Sequence, residues 1–389
     1  MSRSEQGASA VVSRGASAAG PRDRGLVVAK VGSSTLVNAS GAPDRAFIRA
    51  LFEQVGQLVH EGYRVVVVSS GAAAAGMERL GFTERPSDLP TLQACCAAGQ
   101  AALTEIYAGI LAEQGIPCGQ VLLTRADVAN RTSYLNARGT FARLLELGAV
   151  PVVNENDAIS STEFHFGDND TLGAIVATLL GASLYVILSD IDGLYDANPD
   201  THPDARLIPH VARITPEIAA VAGGAGSKVG TGGMATKIRA ARATLAAGIP
   251  LVVCRGRRPG ALVDTAHGEA IGTRFEAAGG AHERARKLWI GLADVPHGAI
   301  SVDEGARAAL VDRGASLLAA GITATTGTYA AGDVVSVLAA DGSLLGRGVT
   351  RFSSREVEQI RGLKSDVIAR FFPDRADQPC IHRDELLVF

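Results

Sequence analysis

A chain of 389 residues is longer than one hydrophobic core usually serves, so two domains are expected. Its 37 lysines and arginines against 40 aspartates and glutamates leave a formal net charge of −3, which supplies no global attraction to nucleic acid. Five cysteines with no C-x-x-C pair and eight histidines with no H-x-x-x-H spacing argue against a disulfide scaffold or zinc cluster and fit a reducing cytoplasm.

Residues 1–24 are rich in Ser, Ala, Gly and Arg, lack the apolar stretch of a secretory signal, and read as a disordered tail. Leu26–Val31 then reads as a strand. Asp44 can cap a helix reaching about His60, with Phe47, Leu51, Val55 and Leu58 at helical spacing. Further strands are expected at Arg64–Ser69, Gln120–Thr124, Val150–Val153, Leu184–Leu188 and Pro250–Val253. Helices are expected near Leu92–Glu113, Ser133–Leu147, Asn169–Leu180 and Gly233–Ala247, the last stopped by Gly248. The strand candidates are valine-rich and apolar on both faces, as in strands covered by helices on either side. Their alternation with helices predicts a three-layer α/β/α sandwich around a mostly parallel sheet.

Between Thr171 and Ser189 lie nineteen residues without a charge, a length that invites a membrane-span reading. Gly181-Ala182-Ser183 divides them into a helix-like half and a β-branched half. A buried helix followed by a buried strand is expected instead, in a soluble protein with no membrane partner.

The pattern of alternation covers residues 25–276. A small, flexible and then charged stretch at 277–296 reads as a linker. Short strands separated by Gly and Asp turns, as at Gly332-Asp333 and Asp341-Gly342, predict a small β-rich barrel-like domain at 297–372, with a C-terminal extension at 373–389.

In parallel sheets ligands gather at the carboxyl ends of the strands, so the chemistry is sought in the loops there. The first strand ends Lys30-Val31-Gly32-Ser33-Ser34, a mobile cation beside a backbone-rich turn suited to an anion. The second ends Ser69-Ser70-Gly71, small enough for backbone amides to approach a ligand. Asn154-Glu155-Asn156-Asp157 and Gly167-Asp168-Asn169-Asp170 put two clusters of acids and amides at loop positions, more than helix caps and solvated turns account for. Ser189-Asp190 ends the fifth strand, where a nucleotide could lie. Residues 223–237 carry six glycines before Lys237, a loop suited to polyphosphate with a lysine inside the first helical turn.

Three motifs are excluded. There is no G-x-x-x-x-G-K-S/T, so this is no P-loop enzyme; Gly230-x-Gly232-x-x-Ala235 does not directly follow a strand; and His382-Arg383-Asp384 lacks the later protein-kinase motifs.

Together the loops resemble the amino-acid kinase family, and within it the branch that phosphorylates the side-chain carboxylate of glutamate. The resemblance rests on VSSGAAAAG at 68–76, LLTRAD at 122–127, NENDA at 154–158, GDNDTLGA at 167–174 and GTGGMATK at 230–237, and the C-terminal segment looks like a PUA domain. It implies that Lys30 and Lys237 stabilise the phosphoryl group, with Asp170 holding the lysines. It implies glutamate binding by Ser70, Asn154, Asp157, Asp168 and Asn169. Nucleotide binding is implied for Lys30, Ser189, Asp190, Thr231, Gly232, Gly233, Met234, Ala235, Thr236 and Lys237. ATP, with Mg2+ carried mainly by its phosphates, is the implied cofactor, no protein metal site is expected, and L-glutamate is the implied substrate. Inhibition by proline and a homo-oligomer are also implied, and an RNA role for the PUA-like domain stays open. The family threonine is replaced here by Ser189, which keeps the hydroxyl. A kinase of the same fold acting on acetylglutamate, aspartate or a nucleoside monophosphate is the nearest alternative.

Overall fold

The structure, a computed structural model, describes residues 23–38, 40–160, 169–199, 201–222, 233–277, 296–370, 372–375 and 377–388. The expected tail up to residue 22, the glycine-rich stretch 223–232 and residues 278–295 of the expected linker lie outside them.

In chain order the larger unit opens with β1 (Leu26–Val31), α1 (Ser33–Leu36), α2 (Arg45–His60), β2 (Arg64–Val68), α3 (Ala72–Leu80) and α4 (Leu89–Glu113). It continues with β3 (Cys118–Leu123), α5 (Arg125–Ala129), α6 (Arg131–Glu146), β4 (Val150–Glu155), α7 (Asn169–Leu180) and β5 (Leu184–Ser189). It closes with β6 (His210–Val211), α8 (Pro216–Ala222), α9 (Met234–Ala246), β7 (Leu251–Arg255), α10 (Ala261–Ala266) and β8 (Thr273–Phe275). The sheet order is β3-β4-β2-β1-β5-β7-β8-β6. Every neighbouring pair from β3 to β7 is parallel, and only β7 against β8 runs antiparallel.

The pleat sorts the valines of the central strands onto two cores. Val28, Val66 and Val68 face Phe141, Leu172, Ile175 and Ile238 on one side. Val27, Ala29, Val65 and Val67 face Ile48, Phe52, Leu103, Tyr107 and Leu262 on the other. The sandwich follows directly from a period of two with both faces apolar. The charge-free run between residues 171 and 189 divides at Gly181 into α7 and β5. Among the described residues the helix long and apolar enough to cross a membrane is α4, which here lies on α2 and α3 and stacks Tyr107 on Phe52 at 4.4 Å.

Two expectations change. No helix is expected between the strand at Arg64–Ser69 and the helix near Leu92, yet α3 starts at once behind Gly71, whose φ of 85° is open to glycine. α3 is held by close contact with α4: a Cβ on Gly76 would lie 1.7 Å from the Cys95 carbonyl oxygen, and one on Gly99 1.8 Å from that of Ala72. Main-chain atoms cannot yield as a flexible side chain can. Gly99→Ala is therefore expected to lower the unfolding free energy by about 1–3 kcal/mol despite alanine's better helix propensity. Gly109→Ala, in the same helix with nothing within 4 Å, should raise it by roughly 0.5–1 kcal/mol. Urea unfolding of the two variants checks the pair.

The second change concerns residues 373–389. The smaller unit is a five-stranded sheet of β9 (Gly298–Val302), β10 (Ile322–Gly327), β11 (Val334–Leu338), β12 (Leu344–Thr350) and β13 (Ile381–Val388), in the order β10-β9-β11-β12-β13. The stretch read as an extension thus supplies the edge strand, antiparallel to β12, and buries Ile381, Leu386 and Leu387. Its apolar residues alternate too weakly to mark a strand; the pairing with β12 makes it one.

Candidate active site

Lys30 is the fifth residue of β1, carried to the carboxyl edge of the sheet between β2 and β5. Lys237 sits in the first turn of α9, and Asp170 in the first turn of α7. The fold brings all three together. Asp170 Oδ1 is 2.5 Å from Lys30 Nζ, and Oδ2 is 3.2 Å from Lys237 Nζ. Thr236 Oγ1 donates to Oδ2 at 2.7 Å. From below, Tyr185 on β5 donates its hydroxyl to the Asp170 carbonyl at 2.9 Å, filling space that Gly173 leaves by having no side chain.

The exposures of these three residues are 7% for Lys30, 4% for Lys237 and 0% for Asp170. Burial by itself raises the Asp170 carboxyl pKa, but the ammonium groups of Lys30 and Lys237, with the Thr236 hydroxyl, outweigh it and hold the group below the ordinary carboxylate range. Two ammonium groups converge on one carboxylate, an arrangement suited to receiving an incoming anion.

Beside the triad lies a chain of amides. Asn169, the residue before Asp170, donates its Nδ2 to the Ser69 carbonyl at 2.6 Å, with Ser70 Oγ at 2.8 Å and Asn154 Oδ1 at 2.9 Å. Asn154, at the end of β4, donates to Gln100 Oε1 of α4 at 2.8 Å. Gln100, Glu155, Asn156 and Asp157 line a cavity of about 250 Å3 walled by Ala72, Ala97 and Ala101. Cys96 also lines it, but burial, with Asp157 adding to it, pushes that thiol up to about 12, which leaves it inert as a nucleophile at neutral pH.

On the other flank Ser189 ends β5 and its hydroxyl donates to Asp190 Oδ1 at 3.1 Å. Gly233 caps α9 with no side-chain hydrogen bond, so the first amides of that helix, at Met234 and Ala235, are not taken by a capping side chain. The turn after β1 is held from behind: Arg257 donates to the carbonyls of Thr35 and Val37 at 3.0 and 2.8 Å and to Asp44 Oδ2 at 2.8 Å.

Sequence reasoning therefore assembles two groups, Lys30–Asp170–Lys237 and Ser70–Asn154–Asn169, joined through consecutive residues 169 and 170. Thr236, expected on the nucleotide, bonds Asp170 here. Asp168, Thr231 and Gly232 lie outside the described residues. Gln100, Tyr185 and Arg257 were not anticipated. None of the three left a distinguishing signal: on α4 Gln100 is one polar residue among several, with Gln93, Thr104 and Glu105.

The profile of the amino acid kinase family matches residues 25–255, and that of the PUA domain residues 298–372. A protein of Geobacter sp. (strain M21) named glutamate 5-kinase is 45% identical over 362 residues, 93% of this chain and 97% of that protein. Proteins of the same name from Deinococcus radiodurans and Microcystis aeruginosa are 44% and 43% identical, each over 93% of this chain and over 99% and 96% of their own lengths. A solved UMP kinase from Ureaplasma parvum is 17% identical, covers 64% of this chain and 98% of its own, and has a TM-score of 0.45. With a family profile over more than half its length and relatives matched nearly end to end, the chain belongs to the amino acid kinase family.

Proposed function

We propose that this protein transfers the γ-phosphoryl group of MgATP to the side-chain carboxylate of L-glutamate, giving glutamyl 5-phosphate, the first step toward proline. The observation that carries the chemistry is Asp170 set between Lys30 and Lys237 at the carboxyl edge of the sheet. The choice of glutamate is supported by relatives of that name aligned over both domains.

A glutamate side chain, with a reference pKa near ~4.3, is already an anionic nucleophile at neutral pH, so no general base is required. What remains is positioning and neutralisation of charge spread over the transferring phosphoryl oxygens. Lys30 and Lys237 supply the cations from opposite sides, and Asp170 keeps their ammonium groups from repelling one another. The amides at the start of α9, with Ser189 and Asp190, hold the nucleotide, to which Thr231 and Gly232 also belong on this reading. Ser70, Asn154, Asp157, Asp168 and Asn169 hold glutamate.

Both Asp170 oxygens face ammonium groups, and no group of three or more His, Cys, Asp or Glu among the described residues could hold a metal ion. Because Mg2+ keeps water and phosphate ligands rather than an all-protein cage, the magnesium is read as part of the MgATP substrate. A cytoplasmic homo-oligomer inhibited by proline at or beside the glutamate site completes the proposal.

The direct test incubates the protein with MgATP, glutamate and hydroxylamine. Glutamyl hydroxamate should form only when all are present, with acetylglutamate, aspartate and UMP giving little turnover. No hydroxamate from glutamate, or a clear preference for another acceptor, overturns the assignment.

A further inference from the structure

Resting on the glutamate reading above, we infer that Gln100 is a positioning residue: it sets which way Asn154, and through it Asn169, presents its amide to the substrate. The orientation of an amide is decided by partners that can only donate or only accept. Two main-chain groups play that part here. The Ser69 carbonyl only accepts, so the atom of Asn169 lying 2.6 Å from it is the nitrogen. The Glu155 N–H only donates, so the Asn154 atom 2.9 Å from it is the oxygen, which also receives Asn169 Nδ2 at 2.9 Å.

The Asn154 nitrogen must then point the other way, and what it meets is Gln100 Oε1 at 2.8 Å. Gln100 is held in turn. Its Nε2 donates to Thr104 Oγ1 at 3.2 Å, and that hydroxyl lies 2.8 Å from the Gln100 carbonyl and 3.0 Å from Gln120 Oε1. The relay runs from a strand end through an interior helix and back to the cavity that Gln100 and Gln120 both line.

Asn154 and Gln100 are only 1% and 7% exposed, so water is a poor substitute for either. Without the Gln100 oxygen the Asn154 amide keeps a buried, unpaired N–H. Flipping does not help, because an inverted Asn154 would set its NH2 against the Glu155 N–H and the Asn169 NH2. The amide therefore turns away from its place, and Asn169 loses an acceptor.

Gln100→Leu removes the acceptor, whereas Gln100→Glu keeps it toward Asn154. The leucine variant is expected to raise KM for glutamate roughly 10- to 100-fold with KM for ATP within about twofold, and the glutamate variant to retain most of the affinity. A general packing role would move both constants together and would add its full penalty in the absence of the Asn154 side chain. In an Asn154→Ala background Gln100→Leu should cost nothing further. A KM for glutamate within about threefold of the parent in Gln100→Leu, or a full added penalty on Asn154→Ala, overturns the inference.

If the parent protein shows no glutamate kinase activity, the functional reading fails and a second measurement still decides this one. In 15N spectra the Asn154 side-chain amide protons should be protected from exchange in the parent and exchange faster in Gln100→Leu. Unchanged protection overturns the relay.

Discussion

Lys237→Ala should lower kcat by about 10²- to 10³-fold, the loss typical of removing one preorganised charge partner of a transition state. The expected stability change is small, and the sign follows from the triad. Two ammonium groups share one carboxylate, and deletion of one leaves a matched Lys30–Asp170 pair with Thr236 still donating to the carboxylate. Lys30 and Asp170 keep each other as partners, so the folded state does not lose what the reaction loses.

Lys237→Arg should not restore turnover. Asp170 Oδ2 already receives Thr236, and a planar guanidinium needs more room than a compact ammonium in a site 4% exposed. The split between constants is the sharper readout. An ammonium engaged chiefly in transfer lowers kcat and kcat/KM together, while one engaged chiefly in nucleotide binding raises KM for ATP. Hydroxamate formation across ATP concentrations, alongside thermal unfolding, measures both. A kcat within about threefold of the parent removes the assigned role.

How far the sequence discloses this site depends on the kind of signal. β1 and α7 end where expected because both are bounded by residues with strong local preference: valine runs inside, and Asn169 or Gly181 at the edges. Lys30, Asp170 and Lys237 are legible because strand-end loops and a glycine-rich helix start are where an α/β sheet places chemistry. α3 is not legible in this way. Its alanines carry no periodic signal, and it is held by a close approach of Gly76 and Gly99 that only the packed pair reveals. Gln100 is hidden for a similar reason. It lies 54 residues from Asn154 in the chain, and on its helix it looks like one polar residue among apolar neighbours. β13 shows the same limit at the sheet edge, since its partner strand defines it.

Asp170→Asn tests the other half of the triad, and here stability and activity should fall together. The substitution keeps size and leaves the Tyr185 bond to the main-chain carbonyl intact, but removes the one negative charge between Lys30 and Lys237. Stripping one partner from a buried ion group costs about 3–5 kcal/mol, because the remaining charges stay desolvated and unpaired. Turnover should fall as well, since the two ammonium groups then repel and leave the geometry that Asp170 imposes.

The pH dependence has a definite sign. The Asp170 carboxyl is held below its ordinary value of 3.8 in the folded protein. Its contribution is therefore complete above the unfolded value and is lost as pH falls through the lower, folded one. The difference in unfolding free energy between parent and Asp170→Asn should be level from pH 7 to about pH 5 and shrink below about pH 4. Urea unfolding of both proteins across that range measures it. A variant as stable as the parent at pH 7 would show that the lysines do not need Asp170 to stay buried, and the carboxylate would then be a feature of the reaction alone.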